Sequence, residues 1–148
     1  MIVAILNSDF RGVVHGYEMN RIAAAKAAKV IAQFGLAGHY VVHAECFFEK
    51  SGRLDVEYAI ANPPYLPCRD RDSLLLPGLW GGPEGNTVSK GLLTHAHDKG
   101  CPNVLLEVAS YSNPTAVVEH AGRLGFKLVD LQISKMTARR SCRSGSKR

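Results

Sequence analysis

A chain of 148 residues, 46% hydrophobic and 21% charged, has the make-up of one globular domain and excludes a disordered, collagen-like or coiled-coil protein. The formal net charge of +5 does not mark a basic fold: six of the 18 basic residues fall from Ser134 onward, where no acid occurs, leaving 12 against 13 acidic residues before it. No apolar run approaches the roughly 18 residues of a membrane span, and the start MIVAILNSDFRG lacks the features of a secretion signal, so a cytoplasmic protein with no membrane partner is expected.

Met1–Leu6, too short to read by periodicity, is either a strand or the end of a helix, the latter favoured, and Gly12–Glu18 reads as a short strand. Asn20 is placed to cap an Ala-rich helix running to about Phe34, where Gly35 stops it. His39–Phe48 and Leu54–Ala61 read as the next two strands, the latter ending at Asn62-Pro63-Pro64, where proline forbids further ladder bonding. The Pro/Gly-rich stretch from Pro63 to Gly85 is long for a connection, which marks a functional loop. Val88, Leu92 and Ala96 predict a helix over 87–99, with Gly100 past its end. Asn103–Ala109 is a buried strand by composition, and Asn113-Pro114 opens a helix whose stripe is Val117, Ala121 and Leu124, ended by Gly125. Phe126–Lys135 reads as a last strand. The alternation predicts an α/β sheet domain over 1–135, followed by a basic tail, 136–148, of disordered composition.

Cys46, Cys68, Cys101 and Cys142 form no CxxC pair, so reduced thiols and no metal site are expected. His95 and His97, two apart on a helix, lie about 200° around its axis and face different ways.

The word that carries chemistry is Asn62-Pro63-Pro64-Tyr65, at the carboxyl end of a strand. The plain alternative is a proline turn that closes the strand. Ligands of open α/β sheets bind at such ends, however. A planar amide or exocyclic amine is a poor nucleophile because its lone pair is delocalised. The Asn62 side-chain oxygen and the Pro63 carbonyl can accept from its two N–H groups and favour a rehybridised nitrogen, held in place beforehand by stiff prolines. Tyr65 can stack on the flat target.

AIANPPYLP resembles the catalytic motif of class I S-adenosylmethionine-dependent methyltransferases that act on amide or exocyclic amine nitrogens, most closely the release-factor glutamine and adenine-N6 group. HGYEMN resembles that family's second strand, which implies that Glu18, with Met19 beside it, contacts the cofactor's ribose. AECFF is similar to the end of the third strand, implying Glu45 near the adenine. GGPEGN looks like the Gly-Gly-x-x-Gly loop ahead of the next helix. The resemblance covers about residues 1–140. It implies catalytic Asn62, Pro63, Pro64 and Tyr65, with Asn62 also reaching the cofactor, S-adenosylmethionine.

The family's first strand and Gly-x-Gly-x-Gly loop have no counterpart here; MIVAILNSDFRG aligns with the helix that follows them. The expected fold is thus a Rossmann-like open sheet, N-terminally truncated and mostly parallel, admitting an antiparallel edge strand. The expected substrate is a protein glutamine, as in a release factor, or a nucleic-acid base. A catalytically silent remnant serving as a binding module or subunit is the alternative, with room for an oligomer or partner to cover the missing strand. A nucleic-acid binder driven by the basic tail is a weaker reading, because residues 1–133 are slightly acidic. Trp80 either lines a groove or packs its own loop, and Glu107 is either a partnered strand-end carboxylate or a site residue.

Overall fold

The computed structural model describes residues 5–50, 55–74 and 77–134. The basic tail 136–148, expected to be disordered, lies outside the described residues, as do Lys135 of the expected last strand and Met1–Ala4 of the expected first element; Ile5 and Leu6 are helical.

Asn20 starts the helix α1 (Arg21–Gln33) as its side chain dictates: Oδ1 accepts from the N–H groups of Ile22 and Ala23 at 3.0 and 3.1 Å. Gly35 then adopts a positive φ of 68°, and the chain turns back into a strand. The strands flanking α1, β1 (Val14–Tyr17) and β2 (Tyr40–His43), pair in parallel with Val14 opposite Tyr40 and Tyr17 opposite His43. One face of this pair meets a small apolar cluster: the helical residues Ile5 and Ile31, with Leu36 beyond the end of α1, are buried, and Val14, Tyr40 and Val42 pack against them. The other face carries rings. His43 stacks between His15 and Tyr17, with centroids 5.4 and 4.7 Å apart, and Phe47 meets Tyr17 edge-on at 5.3 Å.

A second parallel pair follows. Strands β3 (Tyr58–Ala61) and β4 (Asn103–Leu106) align Tyr58 with Asn103 and Ala61 with Leu106. Helix α3 (Thr87–Asp98) packs on β4 and on α4 (Pro114–Arg123), and Thr94 shares a 2.8 Å hydrogen bond with His120 between the two helices. Leu93, Ala96, Cys101 and Val117 are buried in this half. Between α1 and β3 a single helical turn, α2 (Phe47–Lys50), sets Phe47 and Phe48 edge-on against His95 of α3, with centroids 4.8 and 5.5 Å apart. That aromatic contact joins the two halves.

The α/β class stands, with every described ladder parallel. The expected continuous sheet is instead, among the described residues, two separate pairs, β1–β2 and β3–β4. The strand predictions need correction. Of the described part of Leu54–Ala61 only Tyr58–Ala61 is strand, and Asn103–Ala109, expected as a buried strand, is strand over Asn103–Leu106 with Leu105 63% exposed. His39–Phe48 stays a strand only to His43, because the peptide turns at Cys46 (Lys50 N–H donates to its carbonyl at 3.0 Å) to pack its phenylalanines on His95. The described part of Phe126–Lys135, expected as the last strand, forms no ladder; Val129 and Ile133 are 93% and 88% exposed. Apolar alternation supplies the side chains of a strand but not a partner backbone, and a strand exists only when paired. No helix of the described residues is long and apolar enough to cross a membrane.

Candidate functional site

Parallel pairing sets the strand ends of each half side by side. Glu18 follows β1, and its N–H donates to the His43 carbonyl at 3.0 Å, extending the ladder by one bond. Its carboxylate is exposed and accepts from the Asn20 N–H at 2.7 Å through Oε1, so one oxygen is anchored while the group still faces solvent. Met19 is 73% exposed and Glu45, two residues past β2, is exposed.

In the other half, Asn62 follows β3 directly. The Glu107 N–H donates to the Ala61 carbonyl at 3.0 Å, so Glu107 stands level with Asn62 across the pair. Both side chains are exposed, and neither hydrogen-bonds to another described residue. Glu107 is therefore a strand-end carboxylate beside Asn62, without a partner among the described residues.

Beyond Asn62 the chain is fastened. Pro63 is buried, and Pro64 and Tyr65 are half-buried. Leu66 donates to the Leu79 carbonyl at 2.9 Å and accepts from the Gly81 N–H at 3.0 Å, while Cys68 donates to the Gly82 carbonyl at 3.1 Å. The Pro64 and Tyr65 carbonyls abut Gly81 and Gly85 so closely that a Cβ at these glycines would lie 2.8 and 2.5 Å from the respective oxygens. Gly85 also has φ +76°, so it meets two demands that only glycine satisfies together. The loop 81–85 leads into α3, whose Thr87 N–H is satisfied by the Gly81 carbonyl at 2.8 Å. The Asn-Pro-Pro-Tyr turn and the glycine loop thus meet backbone to backbone, a contact that the sequence did not lead one to expect.

A third turn, which the sequence reading did not single out, completes the cluster. A Cβ at Gly85 would also lie 2.9 Å from the Ser112 Cβ. Ser112 is fully buried, and both its N–H and its hydroxyl donate to the Ala109 carbonyl, at 3.0 and 2.7 Å. Beside it Tyr111, 53% exposed, meets Tyr65 edge-to-face, with centroids 6.0 Å apart and planes at 65°. Partial desolvation, and secondarily the Tyr65 phenol, push Tyr111 above the ordinary phenol value, so it stays neutral at physiological pH. The signal available in sequence was a tyrosine five residues past the hydrophobic β4, much as Tyr65 stands four past β3.

Trp80 packs its own loop: its indole N–H donates to the Cys68 carbonyl at 2.8 Å. His95 and His97 do face different ways, His95 toward Phe47 and Phe48 and His97 toward Asp98 and Phe126. Among the described residues no three His, Cys, Asp or Glu side chains gather as a metal site would require. The concavity lined by His97, Asp98, Lys99 and Gly100 lies at the far end of α3 from the tyrosines. The structure thus brings Asn62–Tyr65 together with the glycine loop and Tyr111, and leaves Glu18, Met19 and Glu45 at the ends of the other pair. Compared with known proteins, the chain matches no family model, no curated protein and no solved structure.

Proposed function

We propose that this chain is a nitrogen-methyltransferase domain of the S-adenosylmethionine-dependent class I kind. In this reading β2–β1 and β3–β4 are two flanks of one Rossmann-like parallel sheet. Parallel strands are rarely stable as isolated pairs and belong to larger sheets covered on both faces, which favours that reading.

One observation carries the proposal. The Asn62 side chain and the Pro63 carbonyl have no hydrogen-bond partner among the described residues, whereas the carbonyls of Pro64, Tyr65 and Leu66 are all packed or bonded against the glycine loop. Two acceptors stay unspent at a strand's carboxyl end while the backbone behind them is held still. That is the electrostatic preorganisation needed to bind a planar –NH2 group through both of its hydrogens. Tyr65 supplies the flat wall, and the rest of the rate comes from holding the nitrogen in line. S-adenosylmethionine, when bound, supplies a methyl group activated by a sulfonium leaving group. Glu18 suits its ribose: the carboxylate is exposed, oriented by the Asn20 N–H and placed at a strand end, where a carboxylate meets a ribose in other parallel sheets. Glu45 is the second acidic residue we assign to the donor.

Calorimetry with the full chain tests this. We expect micromolar binding of S-adenosylmethionine, weakened at least about tenfold in Glu18→Ala, which removes a charge-assisted hydrogen bond. Asn62→Ala should keep donor binding and abolish methyl transfer. Absence of heat at millimolar donor would overturn the proposal in favour of the second reading, a silent binding module.

A further inference from the structure

We infer that Tyr111 and Tyr65 form an aromatic corner that takes a nucleobase, so that the acceptor presented to Asn62 is an exocyclic amine of single-stranded nucleic acid rather than a glutamine side chain. This deepens the proposed function and rests on it for the methyl-transfer step, though not for binding of the base.

Three observations converge. The two rings stand at 65° with centroids 6.0 Å apart, which leaves two aromatic walls meeting nearly at right angles. A flat heterocycle can stack on one wall and turn its edge to the other. A primary amide is too small to use both. Next, both rings are displayed on fixed backbone. Tyr65 lies between carbonyls seated on Gly81 and Gly85, and Tyr111 adjoins the fully buried Ser112, which is seated on that same Gly85. The corner therefore exists before anything binds, and its ordering cost is small. Lastly, Tyr111 is more than half exposed although its neighbour is buried, so the fold holds a large ring out in solvent at the strand ends where Asn62 also stands.

The experiment compares a labelled ten-nucleotide oligo-deoxyadenylate with an abasic strand of the same length by fluorescence anisotropy, without S-adenosylmethionine. Phosphate contacts, including any made by the basic residues from Lys135 onward, are common to both strands. The ratio of the two affinities therefore reports base contacts alone. We expect wild type to prefer the base-bearing strand about tenfold, the scale of one base–aromatic stack. Tyr111→Ala and Tyr65→Ala should each bring the ratio close to one, with Tyr111→Phe within about twofold of wild type. The double alanine variant should be no worse than either single one, because the corner acts as a unit. Circular dichroism checks that each variant is folded. A wild-type ratio of one, a ratio unchanged by Tyr111→Ala, or its loss in Tyr111→Phe would overturn the inference. So would a glutamine-bearing peptide that displaces the strand. If the donor fails to bind while the base preference stands, the methyltransferase reading falls and the corner survives.

Discussion

At the scale of single residues, the most informative titrating group is His95. Burial first, and then the charge of Lys99, lower its imidazole below the ordinary value of 6.5, against a smaller upward pull from Asp98. Between the lowered and the ordinary value the unfolded chain binds more protons than the native one. The contribution of His95 to stability is therefore complete above about pH 6.5, is lost as the pH falls through that value toward the native one, and changes no further below it. His95 also links the halves through Phe47 and Phe48. Urea unfolding at pH 8 and pH 5 checks this. Wild type should lose more stability over the interval than His95→Phe, which keeps a ring there without the charge. Equal losses would show that other groups set the slope. At this scale the sequence shows residue type and spacing but not contact. Asn62 and Tyr65 stood out by type and spacing, whereas Tyr111 and Ser112 did not, because the contacts of Tyr111 with Tyr65 and of Ser112 with Gly85 are ones that no local pattern encodes.

At the scale of elements, helices were legible and strand extents were not. Helix boundaries are written in local hydrogen bonds. Asn20 and Asn113 each accept from backbone N–H groups of the turn that follows them, and positive-φ glycines at 35, 100 and 125 follow the ends of α1, α3 and α4. We expect Asn20→Ala to cost about 1 kcal/mol, measured by urea denaturation, since two N–H groups lose their acceptor together. A loss near zero would mean that water caps the helix equally well. Strand limits depend on a partner far away in sequence. The stretch 126–134 has the apolar content of β4 but no ladder, and the second half of the expected strand 39–48 left the sheet because its phenylalanines found His95. Sheet continuity was illegible for the same reason: pairing is a property of two segments and not of one.

At the scale of the whole molecule, the two parallel pairs are covered unequally. One face of β1–β2 is sealed by the helical residues Ile5 and Ile31 with Leu36, whereas Tyr58, Ile60 and Leu105 of β3–β4 are left open on a single face. Exposed apolar surface of this kind promotes self-association. Ile60→Thr with Leu105→Thr should lower light scattering at high protein concentration while shifting the melting temperature by no more than about 4 °C, since exposed substitutions change stability little. A large drop in melting temperature would mean that this face is packed in solution.

The seat of Gly85 has a consequence for how such a chain can diverge. Three separate stretches meet at one α-carbon: the turn after β3, the loop entering α3 and the turn after β4. Adding or deleting a residue between Gly81 and Gly85 would shift that carbon and unseat both turns together. Length drift among descendants of this sequence should therefore fall at places such as the loop around Arg71–Ser73, while the span from Gly81 to Gly85 keeps its five residues.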